Sequence, residues 1–408
     1  MRRALVLVVK ITGGLVLCGI AAVCLLLFLM WREHTTAVTL PPPTGSFTVG
    51  RTQFPMKNPG TQEELAVWIW YPAERRQQPA SDYLPPIWRQ ALRDKQGTFM
   101  RAFFKRDPLV VHANSQADAP IASRHQQYPV VLLRPGGSAL TADFTTLAED
   151  LASHGYVVVG FDAPARSFVF VESDGRVIGR APANNVENAN GNLADPVVGR
   201  LLTMWLTDVK AVVDQLQRLD EAPSGMFAGR FDLARLGAVG HSFGGAQALQ
   251  FCHDDLRCRA AIDLDGIPFG SVVTDGLAKP AMFLLSDHSR EMADPESHKV
   301  LGMVQSIYIR LPEPRLYATI RTANHFSFGD QILLNSQTAV ALLRLAGFPA
   351  LDGRRGLAIS DRYVCTFFDV TLNGAPASTL KRLSEQYPEV ADQGGVSSLR
   401  TGVTTRSD

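Results

Sequence analysis

The sequence has few cysteines, almost no net charge and no recognisable metal-binding or nucleotide-binding pattern. Of its 408 residues only 5 are cysteine, and the formal net charge at pH 7 is +1. A chain so close to neutral argues against a nucleic-acid partner. No cluster has zinc-ligand spacing, and no GxxxxGK or GxGxxG motif follows a strand-like segment. Gly136-Gly137 is too short for either glycine motif, so we expect neither a metal nor a cofactor.

A long hydrophobic run lies near the N-terminus. Residues Ile11–Trp31 carry no charge, and the run is long enough for one membrane-spanning helix. No small-x-small cleavage site follows it, so we expect an uncleaved signal anchor rather than a removed signal peptide. Arg2, Arg3 and Lys10 precede the run. This predicts a cytoplasmic N-terminus and places the rest of the chain outside the cytoplasm, although Arg32 on the far side reduces the charge asymmetry.

The rest of the chain has the composition of one large globular domain. Hydrophobic residues make up 46% of the sequence, which supports a sizeable core. We assign residues 1–34 to the cytoplasmic end and the anchor, 35–45 to a linker and 46–390 to the folded domain. Pro41-Pro42-Pro43 predicts a stiff spacer. Residues 391–408, rich in Gly, Ser, Thr and Arg, are expected to be disordered.

The most informative motif is the hexapeptide Gly-His-Ser-Phe-Gly-Gly at Gly240–Gly245. An apolar, strand-like segment precedes it and a helix-like segment follows it. In that context G-x-S-x-G predicts a nucleophile elbow, whose sharp strand-to-helix turn exposes Ser242. Gly240 and Gly244 fit, because side chains at those positions would collide in the turn. The Phe243 amide then lies at a helix N-terminus, where positive partial charge collects.

A serine nucleophile needs a base, and four histidines follow Ser242 in the sequence. His253 is expected at a solvated helix end, and His288 and His298 in a polar surface loop. His325 follows a plausible final strand in the loop Thr-Ala-Asn-His-Phe. An α/β hydrolase carries its base in such a loop, so we predict His325 as the base.

The acid that orients the base has more than one candidate position. Asp263 and Asp265 lie near the end of the strand expected after the elbow helix. Asp265 is closer to the carboxyl end, where sites on such sheets form. Asp287 follows the next strand, which is the position most hydrolases of this class use. Sequence position alone leaves the choice open.

Taken together, these motifs resemble the platelet-activating-factor acetylhydrolase family of serine esterases, which belongs to the α/β-hydrolase superfamily. The matching segments are Gly240–Gly245, Leu264-Asp265, Asn324-His325-Phe326, Val67–Ala73, Ala152–Tyr156, Phe367–Asp369 and Tyr387–Val390. The resemblance implies a mostly parallel central sheet with helices on both faces. It also implies Asp265 as the orienting acid, with Asp287 as the fallback.

The resemblance further implies that a second oxyanion donor comes from the loop after an earlier strand. That strand is Val130–Leu133, and the loop that follows it is Arg134–Ser138. Pro135 stands where many relatives carry a histidine before a glycine. Our candidate donors are the backbone amides of Gly137 and Phe243.

These residues predict a serine carboxylic-ester hydrolase that works through an acyl-enzyme. Ser242 attacks an ester carbonyl, His325 accepts its proton, and the two amides stabilise the oxyanion. The resemblance implies short sn-2 acyl groups of phospholipids as substrates, and the N-terminal helix implies a membrane partner. Two alternatives stay open. One is an acyltransferase or a polyester or lactone hydrolase with the same triad, and the other is a catalytically silent, membrane-tethered binding module.

Two inserted segments are candidates for contacts with the substrate or the membrane. Residues 164–195 follow the strand-like segment Tyr156–Phe161 and are expected to wall the pocket. In Phe99–Arg106 aromatic and basic residues interleave. On a helix such a segment either rests on an anionic membrane surface or packs its aromatic side chains inward, and we favour inward packing.

The cysteines leave one question open. Cys252 and Cys258 flank a short polar turn, so they either pair in an oxidising compartment or stay as two buried thiols. If they pair, Cys365 is left as a free thiol.

Overall fold

The computed structural model of the protein describes residues 2–75, 80–137, 139–189, 195–289, 295–347 and 351–394. Most of the segment predicted to be disordered, 391–408, lies outside these residues. The strands are β1 (Val38–Thr39), β2 (Thr48–Lys57), β3 (Glu64–Ala73), β4 (Val111–His112), β5 (Gln116–Ala117), β6 (Tyr128–Arg134), β7 (Val157–Asp162), β8 (Val169–Val171), β9 (Val177–Gly179), β10 (Phe231–His241), β11 (Cys258–Leu264), β12 (Ala281–Leu285), β13 (Leu316–Ile320) and β14 (Val390–Asp392).

The α-helices are α1 (Arg2–Thr35), α2 (Pro86–Gln96), α3 (Thr98–Phe103), α4 (Thr145–Ser153), α5 (Pro196–Asp220), α6 (Phe243–Asp254), α7 (Val272–Asp275), α8 (Pro295–Tyr308), α9 (Gln331–Leu334), α10 (Gln337–Leu345), α11 (Gly353–Leu372) and α12 (Ser378–Gln386). Short 3-10 helices cover Pro108–Val110, Thr141–Phe144, Pro182–Asn184, Val186–Ala189 and His325–Phe328.

A mostly parallel sheet forms the centre of the domain. Its order is β14-β13-β12-β11-β10-β6-β7-β3-β2-β5. The strands from β13 to β7 in this order run parallel, and they are flanked by antiparallel β14 and β3. Parallel strands covered on both faces are mostly apolar. In β6 and β7 every residue is buried, and the charged residues are Arg134 and Asp162 at the strand ends. The elbow strand β10 therefore lies near the middle of the sheet, where the sites of open parallel sheets form.

The sheet separates two hydrophobic cores, so successive residues of a strand contribute to different cores. Ala238 of β10 packs in one core and Val239 in the other. The helix α5 covers the first face, and it begins at Pro196 because the Asp195 side chain accepts the Val197 N–H at 2.9 Å. Its buried side chains recur at helical spacing, and they include Val198, Leu201, Leu202, Trp205, Val209, Val212 and Leu216. Burial of each large side chain in this set stabilises the fold by about 1.5–3 kcal/mol. The helices α4 and α11 cover the opposite face of the sheet.

The helix α1 contains the predicted anchor. Within Leu5–Thr35, the most apolar window of 18 residues has a mean hydropathy of 2.7, and only 6% of that window is buried. Among the described residues it is the one helix long and apolar enough to cross a membrane. A membrane anchor and a signal sequence both have this property.

The end of α1 is held by the catalytic domain at a contact that we call the membrane junction, formed by Glu33, His34, Arg106, Gln337 and Thr338. The Glu33 carboxylate accepts the N–H groups of Gln337 at 2.6 Å and Thr338 at 3.1 Å, at the N-terminus of α10. Arg106 donates to the Glu33 carbonyl oxygen at 2.6 Å, and His34 is fully buried. A carboxylate at a helix N-terminus interacts favourably with the helix dipole, and so does a guanidinium at a helix C-terminus.

The segment predicted to be a linker lies against the domain. The strand β1 pairs with β4, and the N–H and hydroxyl of Thr44 donate to Asp150 at 2.7 and 2.8 Å. The Gly45 N–H donates to the Ser153 hydroxyl at 2.8 Å. These contacts continue the attachment that begins at the membrane junction.

The helix α3 exposes Phe99 and leaves Phe103 only partly buried, so the prediction that its aromatic side chains pack inward is wrong. Phe99 is 67% exposed, and no residue of α3 is buried. The helix has only 6 residues and lies beside α1 at the edge of the domain. Within the described part of the chain, no further helix or strand packs over the exposed side of α3.

Cys252 and Cys258 are joined by a disulfide, with their Cα atoms 5.0 Å apart. The bond closes the short connection between α6 and β11. Cys365 is a buried free thiol.

Candidate active site

The nucleophile elbow lies between β10 and α6. Ser242 is the single residue between them, and its backbone angles are φ 56 and ψ −127 degrees. A non-glycine residue in this region costs on the order of 1–3 kcal/mol, which the surrounding structure must offset. Two backbone hydrogen bonds hold the turn: the Ser242 N–H donates to Leu264 at 3.0 Å, and the Gly245 N–H donates to the Ser242 carbonyl at 2.9 Å.

Both elbow glycines are required by close backbone approaches. A Cβ atom on Gly240 would lie 1.9 Å from the Gly244 carbonyl oxygen. A Cβ atom on Gly244 would lie 2.2 Å from the Arg134 carbonyl oxygen. Neither distance is sterically possible, which explains why the motif has glycine at both positions.

The candidate acid and base form a hydrogen-bonded pair beside the elbow. Asp265 directly follows β11 with φ 53 degrees, and its Oδ2 lies 2.8 Å from Nδ1 of His325. His325 begins a 3-10 helix after β13, and the side chain of Asn324 caps that helix by accepting the Phe326 N–H at 2.9 Å. Because Nδ1 donates to the carboxylate, Nε2 of His325 is the nitrogen left to accept a proton.

Asp265 is buried and multiply hydrogen-bonded. Its Oδ1 accepts the Ser286 N–H at 2.7 Å and lies 2.9 Å from Nε2 of His288, and its Oδ2 also accepts the Ser286 hydroxyl at 2.9 Å. Burial opposes ionisation, but hydrogen bonds from His288 and His325 and the charges of both rings lower the pKa of Asp265 below that of an ordinary carboxyl. The Asp265 carboxyl group is therefore ionised in the folded enzyme at neutral pH.

The fallback acid Asp287 forms hydrogen bonds with the backbone of the loop that leads to His325. Its Oδ2 accepts the Thr322 N–H at 2.8 Å, and its own N–H donates to Ala323 at 3.0 Å. Thr322 has φ 61 degrees, so this contact supports a strained turn. Asp287 thus holds the segment that leads to His325, whereas Asp265 holds the ring.

The elbow serine and the base open into the same cavity, which has a volume of about 230 Å³. It is lined by Gly136, Gly137, Ala139, Asp143, Phe144, Val186, His241, Ser242, His325, Phe326, Gly329 and Gln331. Gly137 lies in the loop after β6, and Phe243 is the first residue of α6, so the two candidate oxyanion donors lie on elements that flank the serine. Val186 comes from the insertion expected to wall the pocket, and its residues 190–194 lie outside the described part of the chain.

Comparison with known proteins finds similarity to acetylhydrolases and esterases. Residues 209–374 match the family model described as platelet-activating factor acetylhydrolase, isoform II. The chain is 22% identical to the platelet-activating factor acetylhydrolase of Cavia porcellus, over 77% of this chain and 73% of that protein. It is 26% identical to a probable 1-alkyl-2-acetylglycerophosphocholine esterase of Arthroderma benhamiae, over 64% of this chain and 65% of that protein.

The chain is therefore similar to platelet-activating factor acetylhydrolases. A ferulic acid esterase from Streptomyces cinnamoneus has the same fold, with a TM-score of 0.69 at 24% identity, over 88% of this chain and 100% of that chain. The predicted fold class and the predicted enzyme class, a carboxylic ester hydrolase, are both confirmed.

Two histidines of this esterase contact the candidate triad although the sequence pattern assigns them no role. The G-x-S-x-G motif leaves the position of His241 open, yet its Nε2 donates to the His325 carbonyl oxygen at 2.7 Å. The two rings lie 4.5 Å apart, centroid to centroid. His288 lies in a partly exposed loop, as predicted, but it is also hydrogen-bonded to Asp265, a contact hidden by their separation along the chain. The prediction that His298 lies in the same loop is wrong, because it is in the helix α8.

We expect His241 to make the folded esterase less stable as the pH falls from about 6.5 towards 4. Burial, and then the charge of His325, lower the pKa of His241 from 6.5 to about 4. Between these values the unfolded chain binds a proton that the folded state excludes, so the free energy of unfolding decreases as the pH falls. His241→Gln keeps an N–H for the His325 carbonyl but does not titrate. Urea unfolding in detergent should show wild type losing about 2 kcal/mol more than this variant between about pH 7.5 and about pH 5. Equal losses in both proteins would contradict the assignment.

Proposed function

We propose that this esterase hydrolyses short sn-2 acyl groups of phospholipids through an acyl-enzyme on Ser242, with His325 as base and Asp265 as orienting acid. The observation that carries the proposal is the 2.8 Å hydrogen bond between Asp265 and His325 beside a cavity that His325 shares with Ser242. The names of two relatives, an acetylhydrolase and an acetylglycerophosphocholine esterase, support an acetylated phospholipid as substrate.

In the proposed reaction, Nε2 of His325 takes the hydroxyl proton of Ser242 as its oxygen attacks the ester carbonyl. The amides of Gly137 and Phe243 hydrogen-bond the oxyanion, each contributing about 3 kcal/mol to transition-state stabilisation. His325 then returns the proton to the leaving alcohol, which leaves the acyl group on Ser242. A water molecule then attacks the acyl carbon while His325 takes its proton. The bond between the acyl group and Ser242 breaks, His325 returns the proton to the Ser242 oxygen, and the acid leaves. Asp265 stays ionised throughout and stabilises the imidazolium.

The size and lining of the cavity support a short acyl group. Its volume of about 230 Å³ is small for a long fatty-acyl chain. Ala139, Phe144 and Val186 provide apolar lining near Ser242. An acetyl or similarly short group fits a cavity of this size.

We further propose that α1 is an uncleaved single-pass anchor and that the catalytic domain faces outward, at the membrane surface. Arg2, Arg3 and Lys10 favour a cytoplasmic N-terminus, and a disulfide favours an oxidising compartment. The membrane junction joins α1 to α3 and α10, whose exposed side chains include Phe99 at 67% and Leu343 at 52%. Apolar side chains that flank a membrane helix fit a lipid surface.

The test uses full-length enzyme on a phospholipid series whose sn-2 group lengthens from acetyl to palmitoyl. We expect the rate to fall by about tenfold or more along the series, because longer chains exceed the cavity. Intact cells should hydrolyse externally added acetylated phospholipid as fast as permeabilised cells do.

Cells that express Ser242→Ala provide the background rate in this test. Preference for long acyl chains would reject the substrate, and activity that appears only after permeabilisation would reject the outward orientation. A short alcohol is also added to the reaction. If a new ester then forms instead of the free acid, the enzyme is an acyltransferase.

A further inference from the structure

His288 contacts the candidate acid from the side opposite the base. Its Nε2 lies 2.9 Å from Oδ1 of Asp265 and 3.3 Å from the Ser286 hydroxyl oxygen. The His288 side chain is 31% exposed, whereas that of Asp265 is 1% exposed. His288 does not line the cavity that contains Ser242. Its contact with the candidate triad is the one with Asp265.

The contacts divide between the two carboxylate oxygens in a way that fixes the carboxylate plane. Oδ1 accepts the Ser286 N–H at 2.7 Å and faces His288, while Oδ2 accepts the Ser286 hydroxyl and His325. Ser286 therefore bridges both oxygens, and one histidine binds each. Rotation of the carboxylate about its Cβ–Cγ bond would break the His288 and His325 contacts together.

We propose that His288 is a positioning residue that, through Asp265, holds the ring of His325 in the orientation needed to accept the Ser242 proton. The inference rests on the roles of Ser242, His325 and Asp265 in the proposed function. Nε2–H of His288 donates to Oδ1, because an ionised carboxylate oxygen only accepts hydrogen bonds. His288 transfers no proton in the reaction, and its neutral form with hydrogen on Nε2 is sufficient.

The experiment compares two substitutions of His288 that differ in hydrogen-bond donation. His288→Phe keeps a ring of similar size but has no donor, and His288→Gln places an amide N–H near the position of Nε2. We expect His288→Phe to lower kcat about tenfold, as loss of a hydrogen bond to a charged group does, while KM changes by less than about twofold. His288→Gln should return kcat to within about threefold of wild type. The same two substitutions at His298, which is exposed in α8, are the matched control.

A double-substitution cycle separates positioning from a general structural role. If His288 acts through Asp265, His288→Phe should have less than about a twofold effect in an Asp265→Asn background. Thermal unfolding of each variant in detergent checks that the fold is retained. Equal kcat for His288→Phe and wild type, equal losses in the Phe and Gln variants, or a full tenfold effect in the Asp265→Asn background would each overturn the inference. Failure of the proposed function is distinguishable, since it appears as activity that does not depend on Ser242.

Discussion

Replacing Ser242 with alanine is expected to lower kcat for ester hydrolysis by about 10⁵-fold, because the variant has no nucleophile to carry the acyl group. The Ser242 turn is imposed by backbone contacts of its neighbours, among them the Gly245 N–H that donates to the Ser242 carbonyl at 2.9 Å. Alanine can occupy the same backbone conformation with the same steric cost as serine, so the fold should survive. The measurements are kcat on an acetylated phospholipid and labelling by a fluorophosphonate.

Ser384→Ala is the matched control for that experiment, since Ser384 is an exposed serine in α12, far along the chain from the elbow. It should keep both full activity and full labelling. Labelling that persists in folded Ser242→Ala protein would show that another residue is the nucleophile.

Replacing Asp265 with asparagine should lower kcat by about 10³- to 10⁴-fold, whereas Asp287→Asn should change it by less than about tenfold. Asparagine removes the charge that stabilises the His325 imidazolium, and its amide can donate to Nδ1 and so favour the wrong tautomer. The Asp287 carboxylate accepts the Thr322 N–H at 2.8 Å. The amide oxygen of asparagine can accept that hydrogen bond equally well.

The two aspartate substitutions therefore control for each other, because both exchange a carboxylate for an amide within reach of the same loop. Rates of the two variants are measured on the acetylated phospholipid at neutral pH, with Ser242→Ala as the background. The reverse pattern, with Asp287→Asn nearly inactive and Asp265→Asn active, would assign the acid to the strand end after β12.

The elbow was predictable because its geometry depends on residues adjacent in sequence. A Cβ on Gly240 would lie 1.9 Å from the Gly244 carbonyl oxygen, an approach that arises within the strand-to-helix turn itself. His325 was identifiable for a related reason, since it follows the last parallel strand of the sheet. The apolar N-terminal helix was predictable from the length of an uncharged run.

The acid was less predictable, because the sequence offers a carboxylate at two neighbouring strand ends. Residues 265 and 325 are 60 positions apart, and their contact depends on how β11 and β13 are placed around β12. The φ of 53 degrees at Asp265 turns its side chain at the strand end, and no pattern of apolar residues encodes that angle. The resemblance to a family was what favoured Asp265.

The prediction for α3 failed for another tertiary reason. A segment with interleaved aromatic and basic residues is compatible with inward packing or with an exposed face, and only its neighbours decide between them. Here the neighbours are the end of α1 and the start of α10, brought together at the membrane junction through Glu33 and Arg106. Phe99 is consequently exposed beside the helix that the sequence assigns to the membrane.

By itself, the sequence determined the features that arise within one or two turns of chain: the elbow around Ser242, the loop histidine His325 and the apolar N-terminal helix. Only the tertiary structure decided which carboxylate meets the base and which further side chains hold that pair. His288 and His241 contact Asp265 and the His325 backbone, respectively, across separations of 23 and 84 residues. The physical reason is that backbone strain and helix or strand preference are local properties, whereas a hydrogen bond between distant side chains requires the whole sheet to be in register.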